Sequence, residues 1–179
     1  MKRIVPLVAI GLAGAAAPAW DWGDSKDEWA SSTDLGKSKA IWRRAAHAAY
    51  VEAHGSGEVD LSGIARAAMA INAEEALREE LVETVERLRS GRALPTAASR
   101  LSAEDSLLNA AYRRRLELAA GETHVGAVTK EGIRSAERAW LRYREAFLDF
   151  AAVQYPRVPR GELAAWLTRK QTALLMTED

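Results

Sequence analysis

Residues 129–155 read TKEGIRSAERAWLRYREAFLDFAAVQY, and this stretch decides the fold. Ile133, Ala136, Trp140, Tyr143, Phe147 and Phe150 recur at intervals of three and four residues, which places them along one seam of an α-helix. Pro156 and Pro159 follow, and neither can continue a helix interior. The spacing therefore predicts a long helix from about Thr129 to Tyr155 that packs closely against a second helix.

The same period extends outward on both sides. Upstream, Leu108, Ala111, Tyr112, Leu116 and Ala119 share one face of a helix, which Ser102-Ala103-Glu104-Asp105 opens in the manner of a capping box with Asp at the third position. Gly121 and Gly126 bracket the loop between the two. Downstream, Gly161 to Leu175 make a final amphipathic helix. Nearer the N-terminus, Leu77, Leu81, Val85 and Leu88 form another stripe, capped by Asn72 and closed by Gly91 and Pro95. A short helix is expected near Leu61 to Ile71. The first strong helix runs from about Asp34 to Glu52, with Ile41, Ala45, Ala48, Ala49 and Val51 as buried positions, and His54-Gly55-Ser56-Gly57 ends it. No period-two run is long enough for a strand. The expectation is an all-α, antiparallel bundle of about five to six helices.

The first nineteen residues read as a signal peptide cleaved before Trp20, with an uncleaved N-terminal anchor as the rival reading. Lys2 and Arg3 precede an apolar run from Ile4 to Ala17, and Ala17-Pro18-Ala19 supplies small residues at the cleavage position. The run is about fourteen residues, short of the roughly twenty that cross a bilayer. The expected mature chain is thus periplasmic or secreted, with no integral span. Its parts are residues 20–95, a helical region of unknown role, and 96–179, a second helical domain. The whole chain has 25 basic and 25 acidic residues. Losing Lys2 and Arg3 leaves 23 against 25, about −2, which argues against a nucleic-acid partner that needs a concentrated positive field. With no cysteine, an exported fold must hold by packing alone.

Most enzyme chemistries find no residues here. His47 and His54 lie seven apart, about 10 Å along a helix, which is too far to share one metal ion. They read as solvated or capping residues, and His124 as a loop residue, so no metal and no cofactor is expected. Glu74, Glu75, Glu79, Glu80, Glu83 and Glu86 alternate with Arg78 and Arg87 as a solvated face with i, i+4 pairs rather than as two carboxylates across a cleft. There is no cysteine nucleophile, no G-x-S-x-G and no phosphate loop. Arg113-Arg114-Arg115 with Arg138, Arg142 and Arg144 makes the second half locally basic, either a solvated surface or an attraction for an acidic one. Trp20, Trp22 and Trp29 sit in a polar arm before the first helix, where an exposed indole can anchor a partner or dock back onto the bundle.

Two segments go beyond composition. Asp105-Ser106-Leu107-Leu108-Asn109-Ala110-Ala111-Tyr112 is followed after a loop by Ala136-Glu137-Arg138-Ala139-Trp140-Leu141-Arg142-Tyr143-Arg144-Glu145-Ala146. In this order they resemble the LprI-type lysozyme-inhibitor family, whose members pair a D-x-x-L-N-x-x-Y helix with a Q-R-x-W-x-x-[YF]-R-D helix. The resemblance covers about Leu101 to Val153. Glu137 stands where the family has glutamine, Glu145 where it has aspartate, and the cysteines that often flank these helices are absent. By spacing alone, Asn109 and Tyr112 reach one side of their helix, and Glu137, Trp140 and Arg144 share a face of the other. Arg144 could then donate to Glu137 or Asp105, with Asn109 joining. Such a cluster can fix the register of two helices, or its exposed edge can meet a partner.

The resemblance implies a non-catalytic protein that binds and inhibits a lysozyme-like muramidase, or an immunity protein against a secreted cell-wall-degrading toxin. It makes Asp105, Asn109, Tyr112, Glu137, Arg138, Trp140, Arg142, Arg144 and Glu145 the motif or partner-binding residues. Arg138, Arg142 and Arg144 are then candidates to enter the enzyme's acidic cleft. The alternative is a structural or scaffolding protein of the envelope, in which the motif only packs helices.

Overall fold

The computed structural model describes residues 33–59, 61, 66–121 and 124–177. The signal peptide, its cleavage position and the tryptophan-bearing arm read at 1–32 lie outside them. Among the described residues there are five α-helices and no strand. They are α1 (Asp34–Gly57), α2 (Arg66–Arg89), α3 (Leu101–Leu118, entered through a 3-10 turn at Ala98–Arg100), α4 (Lys130–Gln154) and α5 (Arg160–Thr177).

The stretch that opened the reading is α4. Thr129 Oγ1 accepts the Gly132 amide at 3.0 Å and fixes its start. All six residues of the predicted seam are buried. Tyr155 ends the helix directly before Pro156. The stripe Leu77, Leu81, Val85 and Leu88 is buried as its spacing requires. At the end of α2 the Gly91 amide donates to the Leu88 carbonyl and the Arg92 amide to the Arg87 carbonyl. Gly91 sits at φ +64°, the left-handed conformation this helix stop needs.

Four expectations fail. The first helix does not bury Ile41, Ala45, Ala48 and Ala49, which are exposed; of the five residues expected inside, Val51 alone is buried. Its inward stripe is Ala40, Arg43, His47, Tyr50 and His54, again spaced by three and four, but polar. Hydropathy selects the wrong face when the core side of a helix carries arginine and histidine. That helix also runs on through Gly57, and Asn72 caps nothing, because α2 continues from Arg66 past it. The part of the expected short helix at 62–65 lies outside the described residues. Finally, the capping box at Ser102 does not form: α3 already begins at Leu101, and Arg100 makes no side-chain cap. Packing against α5 sets this entry, since Gly161 lies so close to Ala98 that a Cβ there would sit 2.9 Å from the Ala98 side chain.

Successive helices run antiparallel. Across the bundle α1 lies along α4, pinned at one end by Lys39 Nζ to Asp149 Oδ2 at 2.8 Å and at the other by backbone contact between Gly57 and Gly132. The up-down order makes α3 and α5 parallel neighbours, so Ala98 meets Gly161 and Asp105 meets Thr168. One core of Tyr50, Leu81, Leu108, Trp140, Phe147 and Leu163 draws on all five helices, on both sides of the Gly91–Pro95 turn. No described helix is long and apolar enough to cross a membrane.

Candidate partner-binding groove

On α3, Asp105, Leu108, Asn109 and Tyr112 follow one another at helical spacing; on α4, Arg134, Glu137, Arg138, Leu141 and Arg144 do the same. The antiparallel pairing of these helices brings the two rows together as the walls of an open groove of about 470 Å³. Six of the nine motif residues line it: Asp105, Asn109, Tyr112, Glu137, Arg138 and Arg144.

Arg144 lies at one end of this groove. Its Nη1 donates to Asp105 Oδ1 at 3.3 Å and to Thr168 Oγ1 at 3.2 Å, and Thr168 Oγ1 donates to Asp105 Oδ1 at 3.4 Å. The guanidinium lies 5.1 Å from the Trp140 ring centre. Of the two acceptors open to Arg144 in the sequence, the fold selects Asp105, and it adds a third helix through Thr168. Asn109 stays out of this cluster; its Nδ2 donates to the Asp105 carbonyl of its own helix at 2.8 Å.

Glu137 faces both the groove and the core. Gln171 Nε2 donates to its Oε2 at 3.5 Å, while Gln171 Oε1 accepts from the buried Tyr50 hydroxyl at 2.6 Å. Burial, and then the negative charge of Glu58, raise the Glu137 carboxyl to about 7, against the opposing effects of Gln171 and Arg144. The carboxyl therefore changes charge near neutrality. Outside it, Arg138 Nη2 donates to Glu131 Oε1 at 2.9 Å, and Arg134 lies 3.8 Å from the other oxygen of the same carboxylate. Two solvent-facing arginines thus share one acid.

The remaining three motif residues sit elsewhere. Trp140 is 3% exposed and belongs to the core. Arg142 is exposed on α4 outside the groove. Glu145 pairs with Arg144 at 3.4 Å and with Arg160 at 2.9 Å, where Arg160 also holds Asp149, so it fastens the start of α5 to α4. Arg134 and Leu141 were missed by motif reading, though a position four before Arg138 and one four after Glu137 carry the signal. Thr168 and Gln171 had none, because nothing in their own segment points to α3 or α4.

The histidines require a correction. His47 and His54 are neither solvated nor capping; each is 1% exposed. Seven residues is two turns, so both face inward together. His54 Nδ1 lies 2.8 Å from Glu58 Oε2, and the Glu58 carbonyl accepts from Arg115 Nη2 at 2.9 Å. Burial, then the charge of Arg43, lowers His47 to about 4. Arg43 is itself fully buried, 4.7 Å from the Phe150 ring centre. Of the run Arg113-Arg114-Arg115, the third turns inward and the first two are exposed. Glu74 and Arg78 pair at 3.0 Å on α2 as their spacing requires. Among the described residues no group of three or more His, Cys, Asp or Glu is placed to hold a metal ion. Compared with known proteins, the chain matches no family model, no curated protein and no solved structure.

Proposed function

We propose that this chain is an exported envelope protein that binds a lysozyme-like muramidase and inhibits it without catalysis, through the groove between α3 and α4. The observation that carries this reading is convergence: two segments about thirty residues apart, chosen by their resemblance to lysozyme inhibitors, contribute six side chains to one open groove. Its outer wall offers Arg134 and Arg138 to solvent, which suits an enzyme whose cleft holds catalytic carboxylates. Arg144 is mostly enclosed and acts by holding the groove's shape. An immunity role against a cell-wall-degrading toxin uses the same surface and the same chemistry.

The test is peptidoglycan turnover by a panel of muramidases with and without the purified chain. Arg138→Glu combined with Arg134→Glu should abolish inhibition of the sensitive enzyme while far-UV circular dichroism stays unchanged. Inhibition that survives this double change would move the site away from the groove. The scaffold reading draws on a specific observation of its own, that Arg144 and Glu145 tie α3, α4 and α5 together. Failure to inhibit any muramidase at micromolar excess would favour it.

A further inference from the structure

A second hollow, of about 580 Å³, opens at the end of the bundle where α2 and α4 finish. Leu94, Tyr155 and Val158 give it apolar walls, Arg92 and Arg157 stand on its rim, and Glu162 is the one acid in its lining. Arg92 and Arg157 are exposed and make no ion pair among the described residues, whereas Arg89 beside them is paired with Glu86. The hollow thus combines an apolar body with positive charge that has no carboxylate of its own, within the size range of sites that enclose a compact ligand.

The start of α1 lies at this same end. Lys39, in the second turn of α1, pairs with Asp149 near the end of α4, and Gln154 and Tyr155 at that end line the hollow. Thr33, at the start of α1, therefore lies at this end of the bundle. The chain before it reads WDWGDSKDEW over residues 20–29, three indoles and four carboxylates against one lysine. Four residues from Trp29 to Thr33 reach up to about 14 Å. We propose that this hollow is the docking site of the chain's own residues 20–29, an indole entering against Leu94 and Tyr155 while the acidic side chains meet Arg92 and Arg157. Tethering makes the encounter intramolecular, so modest contacts suffice. The site is separate from the α3–α4 groove, and the inference stands whether or not that groove binds a muramidase.

The absence of cysteine permits a clean test on the full chain. Asp21→Cys, Asp24→Cys and Asp27→Cys are each combined with Arg157→Cys, or with Arg113→Cys as a control on the exposed side of α3 toward the far end. A disulfide forms only where the Cα atoms approach within about 7 Å. At least one arm position should form an intramolecular disulfide with position 157 several-fold faster than with position 113, and Arg92→Glu should slow it. Equal rates at both positions, no bond at position 157, or bonds only between chains would overturn the proposal. All of these positions outside the arm are exposed, so the helical content should not change.

Discussion

At the scale of the residue, two buried titratable groups pull stability in opposite directions with pH. Glu137 is raised to about 7, so between its ordinary value near 4.5 and 7 the folded state keeps a proton that the unfolded chain gives up. Its contribution is complete below about 4.5 and is lost as the pH rises through 7. His47 is lowered to about 4, so between 6.5 and 4 the unfolded chain takes up a proton that the folded state refuses. Its contribution is complete above about 6.5 and is lost on acidification. The two slopes oppose each other from about 4.5 to 6.5 and leave a shallow profile there. Glu137→Gln keeps an acceptor for Gln171 and removes one falling slope, leaving that of Glu80, whose carboxyl burial also raises, so urea midpoints should climb more steeply between pH 4.5 and 6.5 than the parent's and fall less toward 7. The variant should gain on the order of 1–3 kcal/mol over the parent at pH 7.5; a profile identical to the parent's would mean that Glu137 ionises freely in the groove. Arg144 belongs to the same scale. Arg144→Ala strips Asp105 and Thr168 of their shared donor, and it should cost about 1–3 kcal/mol in denaturant unfolding. A loss of inhibition in that variant would then reflect the groove's shape rather than a lost contact.

At the scale of the element, the two helix starts read at about Asp34 and Thr129 are each fixed by a threonine cap that the sequence reading did not single out. Thr129 accepts from Gly132 at 3.0 Å and Thr33 from Gly36 at 3.1 Å, so each Thr→Ala change should cost about 1 kcal/mol. The caps stand at opposite ends of the α1–α4 pair, so calorimetry on the double variant should show the two losses adding. The α1–α4 crossing is a different matter. A Cβ at Gly132 would press into the Gly57 backbone, and one at Gly57 would sit 2.8 Å from the Gly132 carbonyl oxygen. Backbone cannot step aside as a side chain can. Gly132→Ala should therefore lower stability by about 3 kcal/mol or more, through overpacking, while Gly91→Ala, which has open space but a positive φ, should cost about 1 kcal/mol. Equal effects from the two alanines would show that the helices part easily at their crossing. Nothing in the sequence marks Gly132, in the first turn of α4, or Gly57, in the stretch read as a helix stop, as the point where two backbones meet.

At the scale of the whole molecule, the fold class followed from periodicity, because burial of one stripe per helix imposes a spacing that any sequence must display. The seam of α4 and the stripe of α2 are apolar, so hydropathy located them. The inward face of α1 is built from Arg43, His47, Tyr50 and His54, and polarity disguised it, although the interval of three and four was there to be seen. The same limit applies to the groove. The sequence by itself determined that α3 and α4 each carry chemistry-bearing residues on one side, since i, i+3 and i+4 spacing is a local property of the helix. Only the tertiary structure decided that these sides meet, that Arg144 takes Asp105 and Thr168 rather than Glu137, and that Glu137 is held by Gln171 from a helix thirty-four residues away. Those choices depend on which helices are neighbours and at what register, and that is set by the summed packing of five helices rather than by any one segment.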